Sequence, residues 1–253
     1  MSRNEVSARS KPGPRSAESR VGDDIHAENS RWSFGGDVAA TFEQHIERSV
    51  PHYREGHELV AAFSDFFLYD GAVAIELGCA NGALTRRIAE WNDGKKISVV
   101  GIDREPAMVE AARENCAPLP NVEIREDDII ASELEASDLI VSYYTIQFVR
   151  PAVRQMLLDK IYASLNWGGA FMMFEKVRAP DARFQDITTT LYTDFKLQQG
   201  FKEEEIIHKS RSLKGVLEPF STQGNIDLMK RAGFVDYMTI FKHLCFEGFL
   251  AIK

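Results

Sequence analysis

The chain has 253 residues, 44% of them hydrophobic and 27% charged, and 30 Lys and Arg against 38 Asp and Glu give a net charge of −8. That composition fits one sizeable soluble domain, and the acidic balance argues against direct nucleic-acid binding. No apolar run approaches the roughly 20 residues of a membrane helix, and Cys79, Cys116 and Cys245 suit neither a disulfide framework nor a zinc module, so a cytoplasmic, metal-free protein is expected.

Residues 1–30 mix Ser, Arg, Gly and Pro with almost no large apolar side chain, which predicts a disordered tail. A single domain is expected over 31–253, with order beginning near Trp32 and Phe34. Val38, Ala39, Phe42, Ile46 and Val50 recur at helical spacing up to Pro51. Leu59, Val60, Phe63 and Phe66 mark a second helix. Both precede any strand and predict an N-terminal helical layer.

Short apolar runs then alternate with helical stretches. The runs are 72–77, 97–102, 122–124, 139–142 and 170–174; the helical stretches are 84–91, 107–115 and 153–165. This alternation predicts βαβ units and a mostly parallel sheet buried on both faces. Beyond Glu175 it breaks. Residues 180–225 are charged and mixed, with helices expected over 184–199 and 203–208, and they read as a lid over the substrate. Two closing runs, 235–241 and 246–252, pair as a hairpin or flank one.

The sharpest local signal is Glu76-Leu77-Gly78-Cys79-Ala80-Asn81-Gly82, between a predicted strand and a predicted helix. Glycine in such a turn permits positive φ and close approach to a ligand, while the helix start offers free N–H groups. Asp103, at the end of the next strand, stands where an acid can accept hydrogen bonds from two ribose hydroxyls. Asp128 and Ile129, after the third strand, suit an exocyclic amine and an adenine face. In this order they predict a nucleoside-bearing cofactor. The glycine spacing departs from the dinucleotide fingerprint and is similar to the loop of class I S-adenosylmethionine (SAM) enzymes, with Ala80 in the middle glycine's place.

The segments RSVPHY (48–53), YTIQFV (144–149), LLDKIYASLN (157–166), FEK (174–176), DFK (194–196) with Gly200, and the closing FEGFLAIK resemble the carboxy-S-adenosylmethionine synthase family. The resemblance runs from about Trp32 to Lys253. It implies a Rossmann-like class I SAM-dependent methyltransferase fold, α/β, with a seven-stranded sheet ending in an antiparallel strand, and a homodimer. It gives cofactor contacts to Tyr53, Gly78, Cys79, Ala80, Asp103, Arg104, Asp128 and Ile129, and Gly82 completes the loop. Two positions depart from the family pattern. Tyr143 stands where the family has Asn, within the cofactor set. Ser210 stands where the family has the Arg that holds an extra carboxylate on the cofactor, and Arg211 follows one residue later. A step of one residue on a helix turns a side chain by about 100°; from a loop, Arg211 could still reach.

The departures favour a SAM-dependent methyltransferase acting on a small molecule, with SAM or S-adenosylhomocysteine (SAH) as the bound nucleoside. The alternative is carboxy-SAM synthesis itself, with prephenate supplying the carboxyl group and Arg211 holding it. An alternative of another class is a non-catalytic SAM-binding scaffold. Tyr144, Tyr192 and Arg211 are candidate substrate residues, and His208 and Arg211 candidate catalytic ones. Glu175 and Lys176 read as a structural ion pair, and 202–205 as a solvated helix face.

Overall fold

A computed structural model describes residues 19–22, 26–27, 30 and 38–253. Two short strands come first, β1 (Ser19–Arg20) and β2 (His26–Ala27), paired antiparallel. Helices α1 (Val38–Ser49) and α2 (Tyr53–Ser64) follow. Then come β3 (Val73–Leu77), α3 (Ala83–Trp91), β4 (Ser98–Asp103), α4 (Pro106–Cys116), β5 (Val122–Glu126), β6 (Ser137–Tyr143), α5 (Pro151–Ser164) and β7 (Leu165–Lys176). The chain closes with α6 (Ala182–Gln198), α7 (Glu203–Ser212), α8 (Thr222–Ala232), β8 (Asp236–His243) and β9 (Phe246–Ile252).

The sheet has seven strands in the order β5-β4-β3-β6-β7-β9-β8. The first five run parallel, while β9 is antiparallel to both β7 and β8. The closing runs therefore do form a hairpin.

Burial on both faces explains the continuous apolar runs. On β3, Ala74 packs toward Val60, Leu84 and Ile88, whereas its neighbour Ile75 joins Leu157, Ile161 and Leu228 on the opposite face. Phe171, Phe174, Phe234 and Phe249 are almost wholly withdrawn from water, each worth about 1.5–3 kcal/mol of transfer free energy. Strand order reverses beside β3, where β4 and β5 lie on one side and β6 and β7 on the other. In such a sheet the crevice past the carboxyl ends of the strands at that switch point is the ligand site.

Three expectations change. Within the stretch read as a tail, Val21 is buried against Phe42 and Met108, and the Ser30 N–H donates to the Arg211 carbonyl at 3.1 Å. That stretch therefore packs on α7 in part; residues 1–18, and Trp32 and Phe34, lie outside the described residues. Helix α8 begins inside the expected lid and packs instead on α5 beneath the sheet. Its start is signalled by Ser221, whose Oγ accepts from the Gly224 N–H at 3.1 Å, and its end by Gly233 at φ 121°. Helix α7 continues past His208 to Ser212, so Ser210 and Arg211 are helical.

Candidate cofactor and acceptor cleft

A cleft of about 1270 Å³ opens at the switch point. Its floor is the loop after β3. Gly78 has φ 76°, Ala80 φ 47° and Gly82 φ 77°. A Cβ on Gly78 would collide with the Thr145 side chain, so only glycine fits there. Ala80 holds a left-handed conformation that costs an L-residue roughly 1–2 kcal/mol, a strain typical of ligand loops.

Asp103 organises this floor. One carboxylate oxygen accepts from the Ala80 N–H at 2.9 Å and the other from the Glu105 N–H at 3.0 Å. The first bond ties the tip of β4 to the glycine loop, and the second starts α4. Asp128 accepts from the Ile130 N–H at 2.8 Å, and Ile129 lies buried beside it. Lys160 on α5 clamps this turn, donating to the carbonyls of Ile129, Ile130 and Ser132 at 2.7, 3.0 and 2.7 Å. Arg104 sits exposed at the rim, 3.6 Å from Glu105 and 4.0 Å from Asp128.

The cleft brings together Tyr53, Gly78, Cys79, Ala80, Asp103, Arg104, Asp128, Ile129 and Tyr143. Gly82 is absent from its walls. It is buried where a Cβ would press on Ala112 and Cys116, so it serves the approach of α3 to α4. Tyr143 turns its hydroxyl toward α2, donating to the Tyr53 carbonyl at 2.7 Å among the rings of Tyr53, His57 and Phe174. It walls the cleft and is tied to backbone.

Across the cleft stand Tyr144, Tyr192, Ser210 and Arg211. Tyr192 donates to the Ser49 carbonyl at 2.7 Å, joining α6 to α1 as a roof. Lys209 contacts His45 and donates to Ser49 Oγ at 3.2 Å, adding α7 to that roof. Ser210 and Arg211 both line the cleft from the last turn of α7. His208, the expected base, is on the same helix but outside the cleft lining. Among the described residues no group of three or more His, Cys, Asp or Glu side chains is placed to hold a metal ion.

The Glu175–Lys176 ion pair does not form. Consecutive strand residues point to opposite faces. Glu175 turns to Arg154 and the backbone of Ile146 and Gln147, while Lys176 turns into the cleft. Lys196 on α6 joins it there. Alternation along β7 was the signal that could have separated the pair. The solvated face over 202–205 also fails at Glu205, which is buried and accepts from the Lys202 N–H at 3.0 Å.

Burial pushes the Glu175 carboxyl from 4.5 up to about 8 and the Glu76 carboxyl up to about 7, and it pushes His57 down from 6.5 to about 4. Both carboxyls hold a proton in the folded state that the unfolded chain has released above pH 4.5. Their contribution is therefore lost as pH rises through 7 and 8. His57 acts in the opposite sense, and only about 0.4 kcal/mol of its effect remains to be gained above pH 6.5. Unfolding free energy is expected to fall by about 2 kcal/mol between pH 6.5 and 8, and by less than half as much in Glu175→Gln. Urea titrations across that range check this; equal slopes in both proteins would refute it.

A methyltransferase-domain family model matches residues 74–169. The carboxy-S-adenosyl-L-methionine synthase of Sulfurimonas denitrificans is 34% identical over 224 residues, covering 88% of this chain and 95% of that one. The enzyme of the same name from Campylobacter jejuni subsp. doylei is 35% identical over 234 residues, covering 91% and 99%. Human N-acetylserotonin methyltransferase, solved in complex with SAM, superposes with a TM-score of 0.60 at 18% identity over 85% of this chain. That likeness concerns the fold alone, and this chain spans 55% of the human one.

Proposed function

The chain belongs to the carboxy-S-adenosyl-L-methionine synthase family, and from its departures within that family we propose that it transfers a methyl group from SAM to a small-molecule acceptor. It is a SAM-dependent transferase. The observation that carries the methyl reading is Ser210. A hydroxyl cannot form the two-pronged fork with which arginine grips a carboxylate, so the position that would select a carboxylated cofactor no longer does.

Bound SAM supplies a methyl group already activated by its sulfonium. Asp103 would hold the ribose, Asp128 and Ile129 the adenine, and the backbone of Gly78 to Ala80 the amino-acid end. The remaining task is alignment, which can supply much of the rate. The roof of α1, α6 and α7 would exclude water and orient the acceptor beside Tyr144 and Tyr192. The test is incubation with methyl-¹³C SAM and a fractionated small-molecule extract. SAH should accumulate in step with one labelled product. Formation of carboxy-SAM from SAM and prephenate, with no labelled product, would overturn the reading.

One observation favours the second reading, carboxy-SAM synthesis: Arg211 lines the same cleft as Ser210. On that reading Arg211→Ala should weaken carboxy-SAM binding at least tenfold more than SAM binding.

We infer a homodimer formed through the outer face of α6, where Phe184, Ile187 and Leu191 are 53, 51 and 48% exposed. Leu191→Glu should shift the particle from about twice the chain mass to the chain mass in light scattering. An unchanged mass would remove this face from the interface. The three free, buried cysteines support a reducing compartment, the cytoplasm.

A further inference from the structure

Helix α6 has two unlike faces. Outward it carries Phe184, Ile187 and Leu191; toward the cleft it carries Thr188, Thr189, Tyr192, Thr193 and Lys196. Lys196 Nζ lies 4.5 Å from the centroid of the Tyr192 ring, and Lys176 Nζ, from the end of β7, lies 4.3 Å from the same centroid. Neither ammonium has a hydrogen-bond acceptor or a carboxylate partner among the described residues. Lys214 and Arg178 also line this half of the cleft and bear on Lys176 with the same sign.

The charges of the cleft are unevenly spread. Glu76, Asp103, Asp127 and Asp128, with Arg104 and Glu105, sit where the cofactor would lie, whereas β7, the chain after it, α6 and α7 carry Lys176, Arg178, Lys196, Lys209, Arg211 and Lys214 against the acid Glu203. Two ammoniums over one aromatic ring repel each other, and a ring face returns only about 0.5–2 kcal/mol per cation. Burial and the Lys176 charge bring the Lys196 ammonium down from 10.5 to about 8, and burial, with Lys214 and Arg178, lowers Lys176 as well. A chain of net charge −8 has collected cations in one concave place, an arrangement that a bound anion would neutralise.

We propose that Lys176 and Lys196, set on the Tyr192 ring, form an oxyanion subsite that recognises a carboxylate or phosphate on the acceptor. This rests on the reading that the acceptor enters this half of the cleft. Lys176 and Lys196 supply point charges with rotatable donors, and Tyr192 fixes their separation, since its hydroxyl is committed to Ser49. The subsite selects anionic acceptors over neutral analogues of the same shape.

The test is calorimetry on the full chain saturated with SAH, in chloride-free buffer at pH 7, with malonate and inorganic phosphate as probes. At least one probe should bind, and Lys196→Met and Lys176→Met should each weaken it at least tenfold. Lys196→Arg should keep binding within about threefold. SAH affinity, measured on the same samples, should stay within twofold in every variant. Tighter malonate than phosphate binding assigns a carboxylate; the reverse assigns a phosphate. Normal SAH binding with no anion binding, or with anion binding equal in all variants, overturns the subsite and leaves the cofactor reading standing. Absence of SAH binding to the unmodified protein would instead sink the cofactor reading. Should Lys176→Met fail to fold, the half-buried Lys196 pair of variants decides alone.

Discussion

Asp103→Ala is expected to weaken SAH binding by at least about 100-fold. The carboxylate would lose its hydrogen bonds to the ribose, and charge-assisted bonds of this kind contribute about 1.5–3 kcal/mol each. The same substitution frees the Ala80 and Glu105 N–H groups, which Asp103 holds at 2.9 and 3.0 Å, so the glycine loop loses its tie to β4. Asp103→Asn should fall between, since one carbonyl oxygen can still meet Ala80. Calorimetry with SAH on all three proteins measures this. The melting temperature without ligand separates lost binding from lost folding. Unchanged affinity in a folded Asp103→Ala protein would remove Asp103 from the cofactor site.

Gly78→Ala is expected to be strongly disruptive. Gly78 holds φ 76°, and an added Cβ would lie 2.9 Å from the Thr145 Cβ and closer still to its branches. The left-handed conformation costs alanine about 1–2 kcal/mol and the overlap adds about 1–3. The variant should lose roughly 2–5 kcal/mol of stability by urea unfolding and bind SAH too weakly to detect. Adding Thr145→Ala should restore much of the overlap component, since the two nearer branches go while the Cβ at 2.9 Å stays, and leave the conformational one. A double variant no more stable than Gly78→Ala would show that Thr145 is not the obstacle.

What could be read in the sequence was local. The glycine loop, Asp103 and Asp128 each sit at the end of their own strand, so strand-turn-helix punctuation suffices to place them. The sheet was legible for the same reason, because apolar runs buried on both faces leave a continuous signature. The opposite half of the cleft was not legible. Lys176 and Lys196 are 20 positions apart and meet only because α6 folds back over the end of β7. Lys176 was masked further by its neighbour Glu175, which looks like a partner until strand alternation sends the two to opposite faces. Gly82 misled in the other direction: its place in a cofactor loop hides its contact with α4. Helix α8 was hidden by a mixed composition in which Ser221 and Gly233 were the only strong boundary signals.

The central claim, that this cleft takes SAM and passes on its methyl group, is tested most directly by mass spectrometry of the small molecule that co-purifies with the protein. SAM or SAH alone is the predicted result. It would mean that Ser210 has ended selection for a carboxylated cofactor. Recovery of carboxy-SAM would contradict the account, and would show that Arg211 grips the carboxylate from its place one residue further along α7.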